Sequence, residues 1–85
     1  RLEAAAGRAR AGATLRLSAR PESGWAVDIV GVDGRLVRKL GCTSTSLFWN
    51  GRDASGSTVE AGVYLCLLTD SHGSRLAQAK LALPK

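Results

Sequence analysis

The sequence is poor in the residues on which most protein chemistry depends. Its 85 residues contain one histidine, two cysteines, two tryptophans, one tyrosine, one phenylalanine and no methionine. Two widely separated cysteines are too few for a zinc site built from paired Cys-x-x-Cys motifs. The longest apolar run, Val63 to Leu68, is far shorter than the roughly 20 residues that a membrane-spanning helix needs. We therefore expect neither a metal site nor a membrane span.

The single histidine, His72, has no catalytic partners at a useful spacing. Asp70 and Ser71 precede it directly, whereas a Ser-His-Asp triad needs groups that converge from separate parts of a fold. The glycines are dispersed and precede strands, so no phosphate-binding loop is predicted. The turn at residues 50–55 offers calcium only a few of the roughly six to eight oxygens it prefers, and turn formation explains those residues. We predict a protein that is not an enzyme and has no cofactor.

A net charge of +5 raises the question of a nucleic-acid partner. The basic residues are spread along the chain, and no aromatic side chains alternate with them to stack on bases. The sequence also lacks a helical period that would suit the major groove. We interpret the charge as a solvated surface and expect no nucleic-acid binding.

Alternation of apolar and polar residues with a period of two runs through most of the chain. It predicts strands over residues 13–18, 25–32, 36–40, 47–49, 59–69 and 75–83, with the run over 59–68 the clearest of them. Turn residues separate these strands, and Asp33-Gly34 predicts a two-residue hairpin. Residues 1–12, rich in alanine, glycine and arginine, are interpreted as a linker or N-terminal arm, and residues 13–85 as one all-β domain. The chain begins at Arg1 without a charged and then apolar leader, so we interpret it as a piece of a longer protein.

Three motifs occur in an order that resembles a known family. They are Val32-Asp33-Gly34-Arg35-Leu36-Val37-Arg38, then Trp49-Asn50-Gly51-Arg52-Asp53-Ala54-Ser55-Gly56, then Ala61-Gly62-Val63-Tyr64, followed by a last strand that contains Lys80. The order is similar to that of the immunoglobulin-like domain of the flagellar hook-capping protein and of the type A C-terminal sorting domains of the type IX secretion system. The resemblance covers about residues 13–83, with departures at Gly31 and Asn50 and without the P-N-P segment that commonly opens the sorting domains. It implies an immunoglobulin-like antiparallel β-sandwich of about seven short strands.

The residues of these motifs are interpreted as architectural. Trp49 is expected in the core, Gly62 at a bend or bulge, and the other glycines in turns. Arg35 and Arg52 are expected to pair with a nearby carboxylate such as that of Asp53. The full set of predicted structural residues is Gly34, Arg35, Trp49, Gly51, Asp53, Gly56, Gly62 and Tyr64.

Cys42 and Cys66 are the right number for one disulfide. The bond can form if their two strands are neighbours, and it would indicate an oxidising compartment. Without it, Cys66 serves as a small apolar residue in the middle of its strand. The sequence leaves both alternatives open.

The run Val63 to Leu68 is apolar at every position, although a strand with one solvated face should alternate. The resemblance places every second residue of this run inward, so that Leu65 and Leu67 face outward. With Val30 and Lys80 they are the candidate partner-binding residues. The alternative is that residues 1–12 fold back over the outward leucines.

Together these observations predict a non-catalytic C-terminal accessory domain of an exported, extracellular or cell-surface bacterial protein. It would act in sorting, anchoring or spacing through contacts with its parent chain, the secretion machinery or identical subunits. The alternative is a structural subunit that self-assembles into a filament or cap, with residues 1–12 adding a strand to a neighbour's open edge. A carbohydrate-binding module would need an exposed aromatic platform, for which only Trp25 remains outside the expected core.

Overall fold

The structure, a computed structural model, describes residues 2–6 and 12–83. Those residues form seven strands and no helix: β1 (Leu2–Ala6), β2 (Ala13–Leu17), β3 (Ala26–Gly31), β4 (Leu36–Gly41), β5 (Ser46–Trp49), β6 (Gly62–Thr69) and β7 (Arg75–Leu83). They build one sheet in the order β1-β2-β5 and a second in the order β4-β3-β6-β7, and all neighbouring strands are antiparallel. The predicted all-β, immunoglobulin-like sandwich is confirmed.

The core lies between the two sheets and follows from the alternation of each strand. In β2, Leu15 and Leu17 point into the core while Arg16 is exposed, and in β3 Val27 and Ile29 do the same around Asp28. Because both sheets present one apolar face, packing those faces together removes the apolar side chains from water. The buried cluster comprises Leu2, Ala13, Leu15, Leu17, Val27, Ile29, Cys42, Trp49, Tyr64, Cys66, Leu68 and Leu81.

The first strand corrects the interpretation of residues 1–12 as a linker or arm. Residues 2–6 pair with β2, with Leu2 opposite Leu17, and Leu2 is only 5% exposed. β1 also packs beside β7 and so closes one side of the sandwich. The sequence LEAAA carries too little alternation to reveal a strand, because alanine fits either environment. Residues 1 and 7–11 of the predicted linker lie outside the described residues.

The strand predicted over residues 59–69 begins later, at Gly62. The preceding residues belong to the connection between the sheets, where the amide of Val59 donates to the carbonyl of Gly51 at 2.9 Å. A chain that leaves one sheet for the other cannot continue the hydrogen-bond ladder of either sheet until it arrives. The alternation of the sequence extends through this crossing because Val59 packs against the core from the loop.

Three loops, at residues 31–35, 53–57 and 70–74, share one backbone design. In each, the first amide donates to the fifth carbonyl, and the fourth amide donates to the first carbonyl, at 2.9–3.0 Å. The fourth residue is a glycine with a φ of 84°, 92° or 82°, respectively. This is a type I turn followed by a left-handed glycine, the usual three-residue hairpin loop. The two-residue hairpin predicted at Asp33-Gly34 was therefore wrong by one residue of loop length.

Candidate functional site

Trp49 and Tyr64 form an aromatic pair at the centre of the core. Trp49 is fully buried, and its ring meets that of Tyr64 edge-on, with centroids 5.8 Å apart. The indole Nε1 donates to the carbonyl of Arg52 at 2.9 Å, and the Tyr64 hydroxyl donates to the carbonyl of Glu60 at 2.5 Å. A tyrosine near the start of this strand that bonds the backbone four residues upstream is the tyrosine corner of immunoglobulin-like folds. Burial, together with the nearby Glu60 carboxylate, raises the pKa of Tyr64, so its hydroxyl remains a donor at neutral pH.

The loop after Trp49 is held by its own polar side chains. Oδ1 of Asp53 accepts bonds from the amide and hydroxyl of Ser55 and from the amide of Ser57, at 2.7–3.0 Å. These bonds, that of the Ser55 hydroxyl foremost, lower the pKa of Asp53. The guanidinium of Arg52 donates to the carbonyl of Gly56 at 2.9 Å.

The expected pairing of Arg35 and Arg52 with a carboxylate was wrong. Arg52 bonds a carbonyl instead, and Arg35 takes part in its turn through its backbone, whose amide donates to Oδ1 of Asp33 at 3.0 Å. Within residues 2–6 and 12–83, the one ion pair joins Lys39 to Asp28 at 3.1 Å. The predicted turn and bend glycines, Gly34, Gly51, Gly56 and Gly62, all have positive φ.

The two cysteines are free buried thiols. Cys42 directly follows β4 and Cys66 lies within β6, and β3 separates these strands in the sheet. The disulfide considered for them is therefore not formed, because the required neighbouring strands are not neighbours. Burial raises the pKa of both thiols, that of Cys66 to about 11.

The described part of the chain contains no group of three or more His, Cys, Asp or Glu side chains placed to hold a metal ion. It also contains no helix with the length and apolar character needed to cross a bilayer. His72 sits in the loop at 70–74, where its amide donates to Oδ1 of Asp70 at 2.9 Å. Trp25 is half-buried against the core, whereas Phe48, predicted as part of an apolar strand, is 62% exposed on the three-stranded sheet.

The predicted partner-binding residues come together on the outer face of the four-stranded sheet. Val30 of β3 lies opposite Leu65 of β6, and Leu65 lies opposite Lys80 of β7. Leu67 follows on the same face, opposite Asp28. Both leucines are half-buried, since neighbouring strands flank them on each side.

Two further residues enlarge this surface, and sequence reasoning missed them. Leu36 of β4 lies opposite Val30 and is 56% exposed, while Val63 is 42% exposed beside Leu65. The outer apolar face is therefore defined by Val30, Leu36, Val63, Leu65 and Leu67. Val63 stands two residues before Leu65, so the resemblance that placed Leu65 outward also placed Val63 outward. The outward direction of Leu36 did not follow in this way, because an irregularity in the β3–β4 register between Ile29 and Val30 shifts its pairing.

No protein-family model matches the chain, and no curated protein sequence matches it either. Among solved structures it is similar to part of PorZ, described as an essential bacterial surface component of the type IX secretion system of Porphyromonas gingivalis. The TM-score is 0.70 and the sequence identity 26%; the match covers 94% of this chain and 10% of PorZ. The likeness supports an immunoglobulin-like fold that is related to a protein of type IX secretion.

Proposed function

We propose that this chain is a non-catalytic accessory domain of an exported bacterial protein, acting in sorting, anchoring or spacing through protein contacts. The observation that carries the proposal is the outer apolar face. It offers a partner a continuous row of side chains across three strands, Leu36, Val30 and Leu65.

An antiparallel sheet whose second face is solvated normally carries polar residues there. Here the centre of that face is apolar, and Lys80 and the Lys39–Asp28 ion pair lie at its sides. An apolar centre with charges at its rim is the usual anatomy of a protein interface. Each valine or leucine that a partner fully covers would contribute roughly 1–2 kcal/mol to binding.

The similarity to PorZ supports a place in export. PorZ is a surface component of a secretion system, and this chain matches about a tenth of its length. A domain of this size that recurs within a larger surface protein fits a module that carries an address or an attachment point. The order of motifs around Trp49 and Tyr64 also resembles that of the type A C-terminal sorting domains of the type IX secretion system.

The proposal is tested with an exported reporter fused ahead of residues 1–85. The fusion is expressed in Porphyromonas gingivalis and in a mutant without type IX secretion, and periplasm, cell surface and medium are assayed separately. We expect the reporter on the surface or in the medium only when the system is present. Surface retention would indicate anchoring, and release into the medium would indicate sorting alone.

The outer apolar face is tested in the same assay. Replacing Val30 and Leu65 by threonine should leave the reporter in the periplasm. Phe48→Thr is the matched control, because it removes an exposed apolar side chain from the opposite sheet. Periplasmic retention of the unaltered fusion in both strains would overturn the export role. Normal export of the Val30, Leu65 variant would remove the outer apolar face from it.

No specific observation favours self-assembly by strand addition from the N-terminus. Residues 2–6 are already paired with β2, so this strand is not free to join a neighbouring copy. Sedimentation of the purified chain should therefore show a monomer, and polymers that disappear on deleting residues 1–12 would favour the alternative.

A further inference from the structure

A groove of 490 Å³ runs between β4 and the loop at residues 50–56, and of the outer apolar face only Leu36 lines it. Arg38 and Lys39 line it from the strand, and Arg52 and Asp53 line it from the loop. A hydrogen bond joins the loop to the strand, in which the amide of Ala54 donates to the carbonyl of Val37 at 3.1 Å.

β4 is an edge strand, and its free edge faces this side of the sheet. The amide of Cys42 donates to the carbonyl of Trp25, which shows that the even-numbered residues here bond toward β3. Lys39 and Gly41 therefore direct their backbone groups to the open edge. The carbonyl of Val37 points the same way, since it accepts from the amide of Ala54. The loop therefore already bonds this carbonyl. In the described part of the chain only β3 pairs with β4, so the outward backbone groups of Lys39 and Gly41 have no strand beside them. An extended peptide can add to such an edge as a further strand.

The groove is basic. Its lining holds three cations, Arg38, Lys39 and Arg52, and one carboxylate, that of Asp53. In the described part of the chain, neither arginine forms an ion pair. Lys39 is paired with Asp28 and Asp53 carries one negative charge, so the two arginines leave the lining with a net positive charge.

The charge also selects the kind of strand that can bind. A second copy of this chain would bring its own Arg38 and Lys39 against the same edge, and like charges directly opposite one another oppose pairing. An acidic strand meets complementary charge instead. Pairing of this edge with a second copy of the chain is therefore disfavoured, and pairing with an extended segment rich in carboxylates is favoured.

We propose that this groove binds an extended acidic segment of a partner protein, which pairs with the backbone of Lys39 and Gly41 and places carboxylates on Arg38 and Arg52. This goes beyond the contact proposed for the outer apolar face. Leu36 lies at the boundary of both surfaces, so a partner that covers the face can extend a strand into the groove.

The test uses the whole chain labelled with nitrogen-15 and a blocked heptapeptide of alternating threonine and glutamate. We expect NMR shift changes concentrated at residues 37–41 and 50–56, and slower amide exchange at Lys39 and Gly41. Arg38→Gln should weaken binding about threefold to fivefold, the value of one exposed ion pair. Arg75→Gln, on β7 and with the same change of charge, should have no comparable effect. Raising the salt concentration should weaken binding.

Two control peptides decide between strand pairing and simple charge attraction. A threonine–lysine peptide should not bind, and a glutamate peptide N-methylated at alternate amides should bind poorly because it cannot complete the ladder. Equal binding of either peptide would overturn the proposal. The proposal would also be overturned if the glutamate peptide caused shift changes centred on Val30 and Leu65, or caused no shift changes at millimolar concentration. The export test does not involve the groove, so failure here leaves that test unaffected.

Discussion

Replacing Tyr64 by phenylalanine isolates a single hydrogen bond on which the corner between the sheets depends. The substitution keeps the ring that meets Trp49 at 5.8 Å and removes only the hydroxyl that donates to the carbonyl of Glu60. A buried carbonyl that loses its donor costs about 1–3 kcal/mol. Glu60 lies in an exposed connection, where water can replace part of the lost bond, so we expect about 1–1.5 kcal/mol.

That loss is measurable and leaves the protein folded. A domain of 85 residues has a free energy of unfolding of roughly 4–13 kcal/mol, and each kcal/mol corresponds to about 4–8 °C in Tm at this size. We therefore expect Tyr64→Phe to lower the Tm by about 5–10 °C. Urea unfolding followed by tryptophan fluorescence is the assay, since Trp49 is fully buried in the folded state.

A second variant separates the hydroxyl from the ring. Tyr64→Leu removes both, and it should cost more than Tyr64→Phe because the edge-on contact with Trp49 is lost as well. A Tyr64→Phe variant whose free energy of unfolding lies within about 0.3 kcal/mol of the unaltered protein would refute the tyrosine corner as a stabilising element. Equal destabilisation of the two variants would instead refute a stabilising contribution from the edge-on contact between Tyr64 and Trp49.

Three further predictions concern the turns and the buried thiol. Gly73→Ala should lower the free energy of unfolding by about 1–2 kcal/mol, because the φ of 82° at this position is unfavourable for alanine although no atom lies within 4 Å of the added Cβ. Gly41→Ala is the control, with equal space and no positive φ, and it should leave the free energy of unfolding unchanged. Equal losses in the two variants would contradict this prediction. Hydrogen bonds lower the pKa of Asp53 and of Asp70 in the folded state, so their contribution to stability is complete above the unfolded pKa of about 3.9 and is lost as pH falls through the lower folded values. Replacing both aspartates by asparagine should make the fall in Tm between about pH 4 and 2 less steep. An unchanged slope would contradict a stabilising role for the two ionised carboxylates. In a variant that lacks Cys42, Cys66 should react with a thiol reagent at pH 8 only as fast as the domain unfolds. The reason is that its thiol is fully buried and burial raises its pKa to about 11. A reaction faster than unfolding would contradict the burial of Cys66.

Much of the fold was predictable because side-chain alternation is a local property. Leu15 and Leu17, or Val27 and Ile29, reveal a strand with one buried face whatever it pairs with. β7 was predicted at the bounds that the structure has, Arg75–Leu83. The outward direction of Leu65 and Leu67 came instead from the family resemblance, because β6 is apolar at every position from Val63 to Leu68 and its own pattern favours neither face.

The repeated turn was present in the sequence but went unrecognised. Residues 53–57 and 70–74 both follow the pattern Asp-x-x-Gly-Ser, and in both the aspartate Oδ1 accepts the amides two and four residues later. The pattern is local, so it could have predicted two loops of one geometry. It also explains why Ser71 and His72 occupy a turn.

The sequence by itself determined the strands, the loops and the inward or outward direction of most side chains, since each depends on neighbours within a few residues. Which strands are adjacent depends on contacts between distant segments, and only the tertiary structure decided it. It paired Leu2–Ala6 with β2, placed β3 between the two cysteines, and set Leu36 beside Val30 through an irregular register. The same long-range pairing left the edge of β4 open beside the loop at 50–56, where the arginines of two separate motifs meet.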